Sequence, residues 1–512
     1  MLRRVATTAI EAAIHAGADW ADIRVSDHRR VSFSGDTREG SIGLTCGFGL
    51  RVRVQGTEAF VGGSEPTPEN VVAAAKSAVA TARRLVSHAT PMGPAAALAS
   101  VPVAHGEWRT PIEIDPFSVS VDDHVFVSSS HDKVPYDGPL QRAARYHGGI
   151  VESGWYYTSE TQVFASSEGA LVTQYLANVA AQAHVRLLSQ WRAQRGEDFM
   201  LVVPSVHPCS GGFEVALQPD RFAHAHATME EMIALAALPC AFMEVGRQDV
   251  ILDGGLHAKL LANTLLPALS LDRVLGNTMD LTGTSLLTPP DAVLGQRLFA
   301  PLLTLTVAPE APHFGAAKWD AEGVATTPVS LITNGVITNY LSSRATLATL
   351  VAQASSLAAT QLPSVVPGVT QAAVGTPPVE VPPALVLAPA TTSCSLSELA
   401  KRLGTGLLAR ASGWENVLVD PDGRGGYLTP GMLFEVKHGT ITRRIRGARL
   451  MFTTKRLFPT LTAVGDTSTC QTPWYYRDLP GLPWQEAMLG ITAPAGLYHN
   501  MDVVPAFLEL PA

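Results

Sequence analysis

The opening fifteen positions place apolar Val5, Ile10 and Ile14 at helical spacing, interrupted by Glu11 and His15, and predict an amphipathic first helix. The period then falls to two. "ADIRVSDHRRVSFSGDTREGSIGLTCGFGLRVRVQGTEAFVGG" reads as a meander of strands with a tight turn at Gln55-Gly56. "TPENVVAAAKSAVATARRLV" returns to helix, with Thr67 as cap, Pro68 at the first helical position and Glu69 following. These elements make an N-terminal α+β domain over residues 1–95.

An Ala/Pro/Gly-rich linker, "MGPAAALASVPVAHG", leads to a central α+β domain over residues 106–240. Its strands include "WYYTSETQVFASSEGALVTQYLANVAAQAHVRLL", turning at Ser166–Gly169. In the third region, 245–512, "VSLITNGVITNYL" turns on Asn334-Gly335 and "LFEVKHGTITRRI" on His438-Gly439, which predicts a large antiparallel-β-rich C-terminal domain. The fold class is therefore α+β. An almost uncharged Ala/Pro/Val-rich insertion at about 350–395 separates the hairpins; composition allows a flap, an interface segment or disorder.

Apolar residues make up 46% of the chain and charged residues 16%, enough for extensive cores. The net charge of −8 leaves no basic excess to neutralise phosphates, which argues against nucleic-acid binding. Five scattered cysteines form no CxxC pair and fit a reducing compartment. No apolar run approaches membrane-spanning length, so a cytoplasmic location is the expectation.

Several segments in order resemble the TldD/PmbA family, including its TldE members. They are "GADWADIRV" with "GFGLRVRVQGTEAFVGG", "WRTPIEIDPFSVSVDD", "FASSEGALVTQ", "LDRVLG…LTGTSLLTP", "WDAEGVATTPVSLITNGVITNYLSSRATL" and "GLPWQEAMLGITAPAGLYHNMDVV". The resemblance implies zinc-dependent peptide cleavage. Active members carry His-Glu-x-x-x-His on the helix before the "DRVLG"-like segment: two imidazoles bind Zn²⁺ and the glutamate takes a proton from attacking water. Counting back from "LDRVLG", those positions fall on Ala262, Asn263 and Pro267, none of which can serve. A glutamate common at the start of the LDR segment is Ser270, and the family's cysteine ligand aligns with Asp478, eight residues after Cys470. His257 reads as an ordinary helix-start residue near a polar surface.

The resemblance thus implies a catalytically degenerate subunit with no metal of its own. Its partner would be a TldD-type homologue supplying zinc, in a heterodimer that processes peptides; a homodimer is the other arrangement. The alternative is a family scaffold repurposed for peptide or natural-product tailoring without the usual zinc site. Candidates for contact with substrate or partner are Asp272, Arg273, Gly283, Thr284, Ser285, Asp320 and Glu322, with a charged turn closed by Gly323 as the plain reading of "WDAEG". His224 and His226 cannot share a helix face, whereas His226 and Glu230 can. "HPCSGG" (His207–Gly212) reads as a loop.

Overall fold

Helix α1 (Leu2–His15) turns Val5, Ala6, Ala9 and Ala13 inward and leaves Ile14 exposed. The buried stripe is therefore narrower and smaller in side chain than Val5, Ile10 and Ile14 suggested. The reason is the neighbour: helix α2 (Pro68–His88) presents Ala74, Ala75, Ala78 and Ala82, and alanine faces let the helices approach closely over the sheet. Thr67 caps α2 as expected, its hydroxyl accepting from Asn70 N at 3.2 Å. The computed structural model describes the chain apart from residues 35–39, 89–97, 121–148, 188–198, 219–222, 243–244, 279–282, 354–365, 367–369, 372, 412–414, 421–422, 474, 480–484 and 507–512. The side chain of His224 lies outside the described residues.

The first sheet contains strands β1 (Trp20–Ser34), β2 (Gly40–Val54), β3 (Thr57–Gly63), β4 (His105–Arg109), β5 (Gly149–Ser166), β6 (Leu171–Leu187) and β7 (Phe199–Ser210). Their order is β3-β2-β1-β5-β6-β4, with β7 also on β6. Central strand β1 is antiparallel to both β2 and β5, so residues 20–63 and 149–210 build one sheet rather than two. "HPCS" closes β7 and is strand, not loop, because β6 and His313 pair with it on either side.

One face of this sheet is apolar, with Ile23, Val25, Leu50, Val52, Val163 and Ala165 under α1 and α2. The opposite face carries Asp22, Arg24, Arg51, Gln162 and Gln174, all buried against the C-terminal region. Such a face survives burial only when its polar groups are paired. Arg51 donates through Nε to Asp22 (3.0 Å) and through Nη1 to Glu322 (2.9 Å). Glu322 also accepts from Arg344 N (2.8 Å), and Arg344 grips Glu168 through two 2.7 Å bonds.

The C-terminal region has a ten-stranded and a six-stranded sheet. Between them lies helix Gly254–Asn263, apolar on nearly every side, packed by Val250 and Leu252 of the larger sheet and Leu305, Leu385 and Leu489 of the smaller. The predicted turns hold: Gln55-Gly56, Asn334-Gly335 and His438-Gly439 are left-handed at both positions, as a two-residue hairpin requires.

The low-complexity insertion enters the core in its second half. Strand Ala384–Leu387 places Leu385 and Leu387 in full burial. Just before it, residues 373–378 lie across β2 and β3, where a Cβ on Gly62 would come within 2.0 Å of Gly375 O. Gln485 clamps this strap, accepting from Ala373 N (3.0 Å) and donating to Pro377 O (2.6 Å). Among the described residues no helix is long and apolar enough to cross a membrane.

Candidate functional site

The would-be zinc helix begins at Asp253, whose carboxylate accepts from Leu256 N and Ala411 N, both at 2.9 Å. It ends at Asn263 because Pro267 cannot donate to the Asn263 carbonyl four residues back. A short separate turn, Leu265–Ala268, follows. Ala262 is fully buried in apolar surroundings. The Asn263 amide donates to Lys259 O of its own helix at 2.8 Å.

His257 sits in the core, not near a polar surface. Its Nδ1 lies 2.8 Å from Pro494 O and its Nε2 2.8 Å from the Tyr498 hydroxyl. A carbonyl only accepts, so Nδ1 carries the proton and Nε2 accepts from tyrosine. Burial lowers the His257 pKa to about 4, and Gly496 is needed because a Cβ there would meet the ring at 2.8 Å. Both nitrogens are committed, which leaves the imidazole no lone pair for a metal. Burial raises the Cys470 thiol pKa, and Asp478 lies in strand Tyr475–Leu479. No group of three His, Cys, Asp or Glu side chains among the described residues has metal-holding geometry. The residues present at this helix do not fit zinc.

Two cavities flank the junction between the first sheet and the C-terminal region. The smaller, about 200 Å³, brings Asp272 and Glu322 together with Arg51, Glu58 and Glu380. Glu380 is buried yet well supplied: Oε2 accepts from Asp272 N (2.8 Å) and Ser270 Oγ (3.1 Å), Oε1 from Ser343 N (2.8 Å) and Thr346 Oγ1 (2.5 Å). Burial and the neighbouring Asp272 carboxylate push its pKa up, while these donors pull it back. Sequence reading missed Glu380 because it lies within the low-complexity insertion, with no local pattern around it.

The larger cavity, about 460 Å³, has a floor made from the polar face of β1, β5 and β6. Alternation puts Thr158, Glu160 and Gln162 of β5 on that face, beside His28 and Arg30 of β1 and Gln174 and Asn178 of β6. Phe314, Trp319 and Met488 form the opposing wall and Val374 of the strap contributes to the rim. The amides are oriented. Gln174 Nε2 donates to Trp319 O (2.9 Å) and Gln162 Oε1 (2.8 Å), and Gln162 Nε2 donates on to Glu160 Oε1 (3.4 Å). The only sequence trace of this floor is the polar run "TSETQ".

Of the remaining sequence candidates, Asp320 borders the larger cavity, with Oδ1 accepting from Glu322 N (2.9 Å) and Val324 N (3.0 Å) in the turn closed by Gly323. Arg273 is buried, and Gly283 and Thr284 are half-buried. Ser285 is buried in a turn, donating to Ala268 O (2.7 Å) and accepting from Leu287 N (3.0 Å). His226 and Glu230 face each other at 3.8 Å on an open helix side.

Comparison with known proteins agrees with this architecture. TldE from Thermococcus kodakarensis superposes with a TM-score of 0.69 at 15% identity, over 98% of this chain and 100% of that one. A Thermotoga maritima protein described as a candidate modulator of a DNA gyrase gives 0.71 at 15% identity, with the same coverages. A protein of Methanothermobacter thermautotrophicus described as a metalloprotease is 25% identical over 342 residues; the match takes in 64% of this chain and spans 65% of that relative's length. Residues 245–504, about half of the chain, match the family described as the PmbA/TldA metallopeptidase C-terminal domain, and the chain belongs to the PmbA/TldD family.

Proposed function

We propose that this chain is a catalytically degenerate TldD/PmbA-like subunit that pairs with a zinc-bearing TldD-type homologue in a peptide-processing heterodimer. The observation that carries the reading is the state of the would-be zinc helix: Ala262 is buried in hydrocarbon, Asn263 bonds to its own helix, and Pro267 ends that helix. In this arrangement zinc and the general base reside on the partner. This chain supplies a chamber wall and polar surface for a peptide, consistent with the amide-lined cavity beside the sheet junction.

Native mass spectrometry with zinc quantification tests the proposal, on this chain alone and co-expressed with a homologue that retains His-Glu-x-x-x-His. The expected result is a metal-free chain alone and a 1:1 complex holding one zinc. One tightly bound zinc in the isolated chain would overturn the reading.

A further inference from the structure

We infer that the 460 Å³ cavity is a binding site for a small zwitterion bearing an ammonium and a carboxylate, as a short peptide does, with Glu160 taking the ammonium and Arg30 the carboxylate. The inference deepens the peptide-binding part of the proposed function. It is independent of pairing, because every residue belongs to one chain.

The argument begins with charge. Glu160, His28 and Arg30 all line the cavity, and among the described residues no ion pair is seen for any of them. They are nevertheless close. Glu160 is directly opposite His28 across β5 and β1, and Arg30 is opposite Thr158, which makes Glu160 and Arg30 diagonal neighbours. Diagonal neighbours on one face lie roughly 7–8 Å apart, and the Arg30 side chain leans over Gly43 of β2, away from Glu160, which leaves room for a small ligand between the head groups. The volume lies within the roughly 300–1,000 Å³ typical of small-molecule sites.

The second observation is the direction of the amide chain. Trp319 N donates to Gln174 Oε1 (3.3 Å), which fixes Gln174 Nε2 as the donor to Gln162; Gln162 then donates to Glu160. Every link hands a donor forward and ends on a carboxylate, so one oxygen of Glu160 is held and the group is aimed along the floor. An acceptor terminus oriented by buried amides suits a ligand donor, and an ammonium is the strongest one. Phe314, Trp319 and Met488 opposite would cover the apolar part of the ligand.

Isothermal titration calorimetry on the full chain without a partner tests the site, using trialanine, N-acetyl-trialanine, trialanine amide and free alanine as probes. Trialanine is expected to bind, and blocking either end to weaken it roughly tenfold to a hundredfold. Glu160→Gln keeps the bond from Gln162 and removes only the charge. It should weaken trialanine as acetylation does and make acetylation cost nothing further. Arg30→Met should do the same for amidation. Alanine binding as tightly as trialanine would assign the site to free amino acids; much weaker binding would assign it to peptides. No binding of any probe, equal binding of free and blocked peptides, or unchanged binding in both variants would overturn the inference. None of these results bears on whether the chain pairs with a zinc-bearing homologue.

Discussion

Glu322→Gln is the sharpest probe of how the first sheet is held to the C-terminal region. In the native chain two cations, Arg24 and Arg51, face two anions, Asp22 and Glu322, and all four are buried. The substitution keeps side-chain shape but weakens the 2.9 Å bond from Arg51 and leaves one positive charge in excess. A charge-assisted bond and an unbalanced buried charge together amount to about 2–4 kcal/mol. Arg24 is the group that should feel the excess: it has one bond, to Ala321 O at 3.0 Å, its Nε and Nη2 find no partner among the described residues, and burial lowers its pKa to about 10. Arg24→Met in the Glu322→Gln background restores neutrality, so the double variant should be more stable than the sum of the singles by at least about 1 kcal/mol. Urea unfolding of the four proteins, followed by tryptophan fluorescence and by circular dichroism, measures this. Strict additivity, or a Glu322→Gln midpoint equal to wild type, would refute the charge-balance argument.

Other expectations follow from single sites. His257 is neutral in the fold with its pKa near 4 against 6.5 unfolded, so the unfolded chain takes up a proton first on acidification. Stability should fall between pH 6.5 and 4 by about 3 kcal/mol from this group. Unfolding midpoints across that range should show the fall, and a His257→Phe variant should lack this component. Gly62→Ala should dislodge the strap at residues 373–378, costing about 1–3 kcal/mol, and should speed proteolytic cleavage near Gly375; an unchanged cleavage rate would count against the close approach. Ala262→His with Asn263→Glu should bind no stoichiometric zinc, because Pro267 still ends the helix, and should destabilise by about 1–3 kcal/mol through overpacking at a buried position. Zinc analysis and a melting curve on the purified variant check both parts.

What the sequence made legible was local. Turn dipeptides fixed three hairpins, and Thr67-Pro68 fixed the start of α2, because those choices depend on a few adjacent dihedral angles. That Ala262 and Pro267 offer no metal-binding side-chain atom was readable too, since this holds wherever they lie. The union of residues 20–63 and 149–210 in one sheet was not, because the pairing of β1 with β5 spans more than a hundred residues. His257 was misplaced for a related reason: its partners, Pro494 and Tyr498, arrive from the far end of the chain. The cavity floor lay hidden because the run Thr158–Gln162 is polar at every position, which marks neither the face that lines the cavity nor what covers it.

Strand β1 has both its edges filled in the finished protein, by β2 and by β5. During synthesis only the β2 side can close early; the other edge must wait until residues 149–166 have emerged. Through that interval a fifteen-residue row of backbone donors and acceptors is open to any passing strand. The buried arginines impose a further delay, since Arg51 cannot meet Glu322 until synthesis is well into the third region. The chain therefore matures by long-range closure rather than by sequential completion of independent parts. Its vulnerable period is the time between the ribosome releasing β1 and delivering β5.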